Sequence, residues 1–112
     1  MRVASVSVDI TPQGKFWMEG YIHPIRKEPG LGVHDMPRAT LLLVEVAHRE
    51  ALFVSIDVCI LTAGTTDAMR KGLSSLLGIE AERIVINSIH THSAANGFEG
   101  DGAMGIPTTP GY

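Results

Sequence analysis

Arg83-Ile84-Val85-Ile86-Asn87-Ser88-Ile89-His90-Thr91-His92-Ser93 is the stretch whose neighbours set the fold. Its centre, Ile84-Val85-Ile86, is β-branched and reads as a strand over 83–89. Upstream, Met69, Leu73, Leu76 and Leu77 fall at i, i+4, i+7 and i+8, the apolar stripe of a helix. That helix is expected from Thr65 or Thr66 to Leu77, with Thr65, Thr66 and Asp67 supplying capping oxygens and negative charge at its start. Gly78 follows where a left-handed glycine ends a helix. Before the helix, Ala51 to Asp57 is a second apolar strand. Strand, helix, strand in this order predicts a right-handed crossover between parallel strands.

Further out, Ala39 to Ala47 is a near-continuous apolar run. Both it and 51–57 have the composition of strands buried on both faces. The polar turn His48-Arg49-Glu50 between them makes an antiparallel hairpin. Val3 to Val8 is a shorter β-prone run, stopped by Thr11-Pro12, so a first strand is expected over 2–8. The fold class is therefore α/β (or α+β): a mixed β-sheet with a hairpin and a β-α-β crossover.

Two segments resist this pattern. From Gln13 to Pro37 the chain is broken by Gly14, Gly20, Pro24, Pro29, Gly30, Gly32 and Pro37. Long loops of this kind are usually functional or partly disordered. Residues 93–112, with Gly97, Gly100, Gly102, Gly105, Pro107, Pro110 and Gly111, read as a flexible loop without apolar period. The chain stops there without a closing helix or strand, as expected of the N-terminal part of a larger domain. Taken by itself, 1–112 is a single domain at most.

Composition narrows the function. The chain has 112 residues, 45% of them apolar, and a mean hydropathy of +0.17. This balance is too apolar for disorder, and three Phe, two Tyr and one Trp leave the core mainly aliphatic. Net charge is −3 and the nine basic residues form no run, which argues against nucleic acid or an anionic membrane as partner. No apolar stretch approaches the ~20 residues of a membrane span. Met1 to Asp9 carries no signal-peptide core. As written the chain is expected in the cytoplasm, or outside the cell if its start has been trimmed.

The candidate chemistry centres on His90 and His92. In an extended backbone, residues two apart project from one face. These imidazoles would then point together at the carboxyl end of a strand following a crossover helix, where α/β sheets bind ligands. Two imidazoles are half of a zinc site, although an H-x-H also occurs as two polar loop histidines. Asp9 and Asp57 stand at strand ends, as caps or as carboxylates that orient an imidazole. His34-Asp35, with Arg38 beyond it, reads first as a surface turn, and His23 and His48 as solvated loop histidines. Cys59 lies in Val58-Cys59-Ile60-Leu61 and reads as a buried, inert thiol with no identifiable base.

Five segments taken in order resemble one family. Asp9-Ile10-Thr11-Pro12 resembles its Asp-Ile-Thr opening, and Met18-Glu19-Gly20-Tyr21 its Met-x-Gly-Tyr. Gly32-Val33-His34-Asp35, then Arg38-Ala39, resembles its Gly-x-His and Ala-Arg-Ala lead into a strand. Val54-Ser55-Ile56-Asp57 resembles Val-Ser-x-Asp, and Ser88-Ile89-His90-Thr91-His92-Ser93 resembles Thr-His-Thr-His-Ser. Together they resemble the N-terminal segment of the catalytic domain of the neutral/alkaline (non-lysosomal) ceramidases. The resemblance implies zinc-dependent hydrolysis of the ceramide amide to sphingosine and a fatty acid, with a small-molecule or lipid amide as substrate. It implies His90 as a zinc ligand and His92 as the residue that orients or protonates the reacting amide. It also draws His34, Arg38 and Asp57 toward substrate binding or the shell around the metal.

Two departures stand out. Ser93-Ala94-Ala95-Asn96-Gly97 replaces the family's Ser-Gly-Pro-Gly-Gly. The remaining zinc ligands of the family, a His, a Glu and a Tyr, come from much later in a longer chain. The 112 residues alone are therefore expected to be catalytically incomplete and to bind zinc weakly. The alternatives are another H-x-H metal hydrolase, or a small non-enzymatic α/β domain that binds a partner. Association with a second copy or with the rest of a catalytic domain fits either case.

Overall fold

Ala47 and His48 take φ of 49° and 60°, and the strands on either side pair from Ala39↔Ile56 to Val46↔Arg49. Two central residues with positive φ form the hairpin turn whose twist matches that of the strands. The computed structural model describes residues 1–21, 28–97 and 107–112; His23 and the 98–106 part of the Gly/Pro-rich loop lie outside them. Among the described residues, β1 (Arg2–Asp9), β2 (Arg38–Val46), β3 (Arg49–Ile56) and β4 (Ile84–Ser88) form a sheet in the order β1-β2-β3-β4. The first two pairings are antiparallel, and β3 and β4 run parallel. This is the mixed sheet with hairpin and β-α-β connection read from the sequence. Arg49 and Glu50, expected in the turn, belong to β3, because a two-residue turn closes the hairpin without them.

The connection contains α1 (Ala63–Leu77). It starts before the expected Thr65 because Thr62 is the N-cap: its Oγ1 accepts a hydrogen bond from Thr65 N at 3.1 Å. Gly78 ends the helix at φ 72°, its N–H donating to Ser74 O at 2.9 Å. Arg70 joins helix to sheet, with Nε donating to Ile84 O at 3.0 Å.

One sheet face carries the core. The register places Leu41 and Leu43 of β2 beside Val54 and Leu52 of β3, and these beside Ile86 and Ile84 of β4. Leu52, Val54, Ile56 and Ile84 are buried there with Val58 and Ile79, and Met69 and Leu73 of the helix pack against them. Each such aliphatic side chain contributes about 1.5–3 kcal/mol when fully buried. Leu76 and Leu77, expected in the helix stripe, are exposed. The opposite face brings Leu42, Phe53 and Val85 side by side across three strands, and they are 37%, 44% and 48% exposed. The expectation of strands buried on both faces thus holds for one face, since α1 covers only that side.

The register also gathers one functional edge. Asp9 pairs with Arg38, Ala39 with Ile56, and Ile56 with Ser88. The carboxyl ends of β1, β3 and β4 therefore meet the start of β2 on one side of the sheet.

Candidate metal centre

His90 follows β4 at this edge with φ 61°. The left-handed region costs a non-glycine residue roughly 1–2 kcal/mol, and His is among the residues found there. The turn brings its ring back to Cys59, where Nδ1 lies 2.9 Å from the carbonyl oxygen. A carbonyl only accepts, so Nδ1 carries the proton and Nε2 presents its lone pair. A histidine oriented in this way through its other nitrogen is the usual form of a metal ligand. His92 Nε2 stands 3.4 Å from His90 Nε2, the two rings T-shaped at 5.0 Å. The histidines do converge, but through the left-handed turn at His90 rather than through strand alternation.

That separation leaves His92 beside whatever His90 Nε2 binds, within reach of a molecule held there. Cys59 Sγ approaches the other side of the His90 ring, 3.7 Å from Nδ1, and one ligand atom each of Cys59, His90 and His92 lies within 4.8 Å of the others. The sulfur lies on the Nδ1 side, so the donor that faces outward is His90 Nε2, an imidazole nitrogen of the kind that binds a borderline-soft ion such as zinc. The residues present therefore fit the metal that the resemblance implies.

The Gln13–Pro37 loop supplies the opposite wall. Met18 and Ala95 form an antiparallel bridge, Glu19 N donates to Ala94 O at 3.3 Å, and Asn96 N donates to Trp17 O. Tyr21 packs edge-on against His92 at 4.8 Å. Gly20, at φ 108°, lies under the same ring, where a Cβ would stand 2.3 Å from His92 Cγ. Glu19 is 1% exposed, and its two carboxyl oxygens find no hydrogen-bond partner among the described residues. The last described residues brace this wall, with Thr109 Oγ1 accepting from Trp17 N at 3.1 Å and Asn96 Nδ2 donating to Pro107 O at 3.3 Å.

Other sequence candidates sit around this centre in different ways. Arg38 shares its sheet edge, and its N–H donates to Asp57 Oδ2 at 3.0 Å while Asp57 N donates back to Arg38 O. Asp57 thus closes the end of the β2–β3 ladder. Asp9 accepts from Thr11 N and Oγ1 at 2.8 and 2.6 Å, which holds its carboxyl below the usual 3.8. His34 pairs with Asp35 at 3.0 Å on an exposed turn. It also lines a groove of about 350 Å³ with Phe16, Met18, Ser93 and Ala94, beside the His92 loop. A larger cavity of about 530 Å³, between Ile10, Leu61, Met69 and Tyr112, contains none of the three clustered donors. The donor geometry, not cavity size, marks the candidate site.

Cys59 is buried, as its apolar neighbours imply, at 2% exposure. Burial pushes its thiol above 9.0, and the negative charge of Glu19 adds to the shift. The sequence does not reveal its neighbour, since His90 comes 31 residues later. Glu19, Gly20 and Tyr21 stand out in the sequence only as a motif match, because the turns that carry them to His92 have no periodic signal.

No family model matches the chain, and no curated protein does. Solved structures do. The crystal structure of neutral ceramidase from Pseudomonas aeruginosa superposes with a TM-score of 0.73 at 23% identity, over 86% of this chain and 16% of that one. A structure described as ceramidase complexed with C2 gives 0.68 at 24% identity, over 87% and 16%. The chain has a ceramidase-like fold and spans 16% of the length of each of these proteins. Among the described residues, no helix is long and apolar enough to cross a membrane.

Proposed function

We propose that this chain is the N-terminal segment of a zinc-dependent amide hydrolase acting on the N-acyl amide of ceramide or a related lipid. One observation carries the reading. At the carboxyl edge of a ceramidase-like fold, His90 is fixed by the Cys59 carbonyl with Nε2 turned toward His92 Nε2, 3.4 Å away. His90 is the metal ligand. When bound, the ion supplies a Lewis acid for the amide carbonyl and for the attacking water. His92, seated on Gly20 and Tyr21, orients the amide and carries a proton toward the leaving nitrogen. His34 on the neighbouring groove and Arg38 on the shared edge are placed to meet other parts of the substrate. Asp57 supports Arg38 through the backbone.

The test uses the full-length protein, measuring zinc content and release of fatty acid from an N-acylsphingosine. His90→Ala should lose the metal and the activity together. His92→Ala should keep most of the metal while turnover falls about 10²–10⁴-fold, the usual contribution of a general acid or base. Full zinc with normal turnover in His90→Ala would remove the assignment.

A further inference from the structure

Between the carboxyl edge of the sheet and the first turns of α1 lies the cavity of about 530 Å³, which the chemistry assigned to His90 and His92 does not use. Its size falls in the ~300–1,000 Å³ range of small-molecule sites. The walls are mainly aliphatic, from Ile10, Ala39, Ile56, Val58, Leu61 and Met69. The threonine hydroxyls among them are already engaged. Thr11 Oγ1 donates to Asp9 Oδ1 at 2.6 Å, and Thr62 and Thr65 share a hydrogen bond at 2.8 Å. Tyr112 is different. It lines the cavity, and its hydroxyl is buried without a hydrogen-bond partner among the described residues. Burial, and then the negative charge of Asp57, push that hydroxyl above 10.0, so it keeps its proton and has one hydrogen bond to give. An ordered water needs about two to four polar partners, and these walls suit a hydrocarbon better.

We propose that this cavity binds the hydrocarbon chain of a neutral single-chain amphiphile, with an oxygen of its head accepting from the Tyr112 hydroxyl. The chain replaces contacts that the aliphatic walls lack on their open side. The charge of Asp57 near Tyr112 selects the head, because it opposes a carboxylate and tolerates an alcohol, an ester or an amide. None of Cys59, His90 and His92 lines the cavity, so this site is separate from the donor cluster. The two stand back to back. Val58 and Ile60 line the cavity, while Cys59 between them meets the His90 ring.

Isothermal titration of the full-length protein with 1-octanol tests this, with octanoate as the charged counterpart. One molecule of 1-octanol should bind saturably, and octanoate more weakly by about 10-fold or more. Tyr112→Phe should weaken 1-octanol about 3–10-fold, the share of one neutral hydrogen bond. Ala39→Phe should fill the space and abolish binding; Leu61→Trp does the same from the loop if Ala39→Phe does not fold. His90→Ala should bind 1-octanol as the wild type does, which tells this site apart from the metal centre. No saturable binding to the wild type, or binding that persists in a folded cavity-filling variant, would overturn the proposal. Equal affinity for 1-octanol and octanoate, or unchanged affinity in Tyr112→Phe, would overturn it too. Loss of 1-octanol binding in His90→Ala would tie the ligand to the metal centre and overturn the separate site.

Discussion

Gly20 lies so close under His92 that no side chain fits there while the ring keeps its place. An alanine Cβ at Gly20 would stand 2.3 Å from His92 Cγ, and φ 108° is a conformation that side chains resist. Gly20→Ala should therefore push the His92 ring off its seat while leaving His90 in place. Since a displacement of about 1 Å near a reacting group costs on the order of 10²-fold, turnover of the full-length protein should fall by that amount with zinc content preserved. Wild-type turnover in this variant would show that the ring position does not matter. Cys59 carries a different lesson. Its burial is legible in its apolar neighbours and the crossover brings its strand end beside that of β4, but its contact with His90 depends on the left-handed turn at His90, which no local pattern spells out. Its raised thiol pKa also has a sign. The folded metal-free chain holds that proton more tightly, so this contribution to stability is present below 9.0 and is lost as pH rises through the higher folded value.

The hairpin shows what the elements owe to local chemistry. Ala47 and His48 occupy left-handed positions for which Asn and Gly are the favoured pair. The double substitution Ala47→Asn with His48→Gly should therefore stabilise the protein by about 1–2 kcal/mol. Urea unfolding measures this; a lowered midpoint would mean that the turn is not the two-residue type. The same turn explains a misplaced boundary. Arg49 and Glu50 look like loop residues by polarity, yet Glu50 pairs with Glu45 and Arg49 with Val46 in the ladder. The strands themselves are legible because apolar runs and β-branching are strong over 39–47, 51–57 and 83–89. The helix is legible from Met69, Leu73 and Gly78, although Thr62 escapes notice as its cap because it sits among the apolar residues Ile60, Leu61 and Ala63. The loop around Glu19 is legible only as irregular, since hydrogen bonds to Ala94 and Asn96 place it and these are long-range.

For the whole molecule, fold and chemistry rest on different supports. The sheet order, the crossover helix and the likeness to ceramidase structures concern the fold. The open face at Leu42, Phe53 and Val85 shows why the sequence looks more deeply buried than the described structure is. Strand composition records burial on both faces, whereas α1 supplies a cover for one. The chemistry instead depends on a few side chains at one sheet edge, and above all on the nitrogen that His90 turns outward. The most direct test is an anomalous difference map at the zinc absorption edge from crystals of the full-length protein. A single strong peak about 2.0–2.1 Å from His90 Nε2 is the predicted result. Stoichiometric zinc located elsewhere, with His90 Nε2 bound only to His92 or to water, would contradict the account.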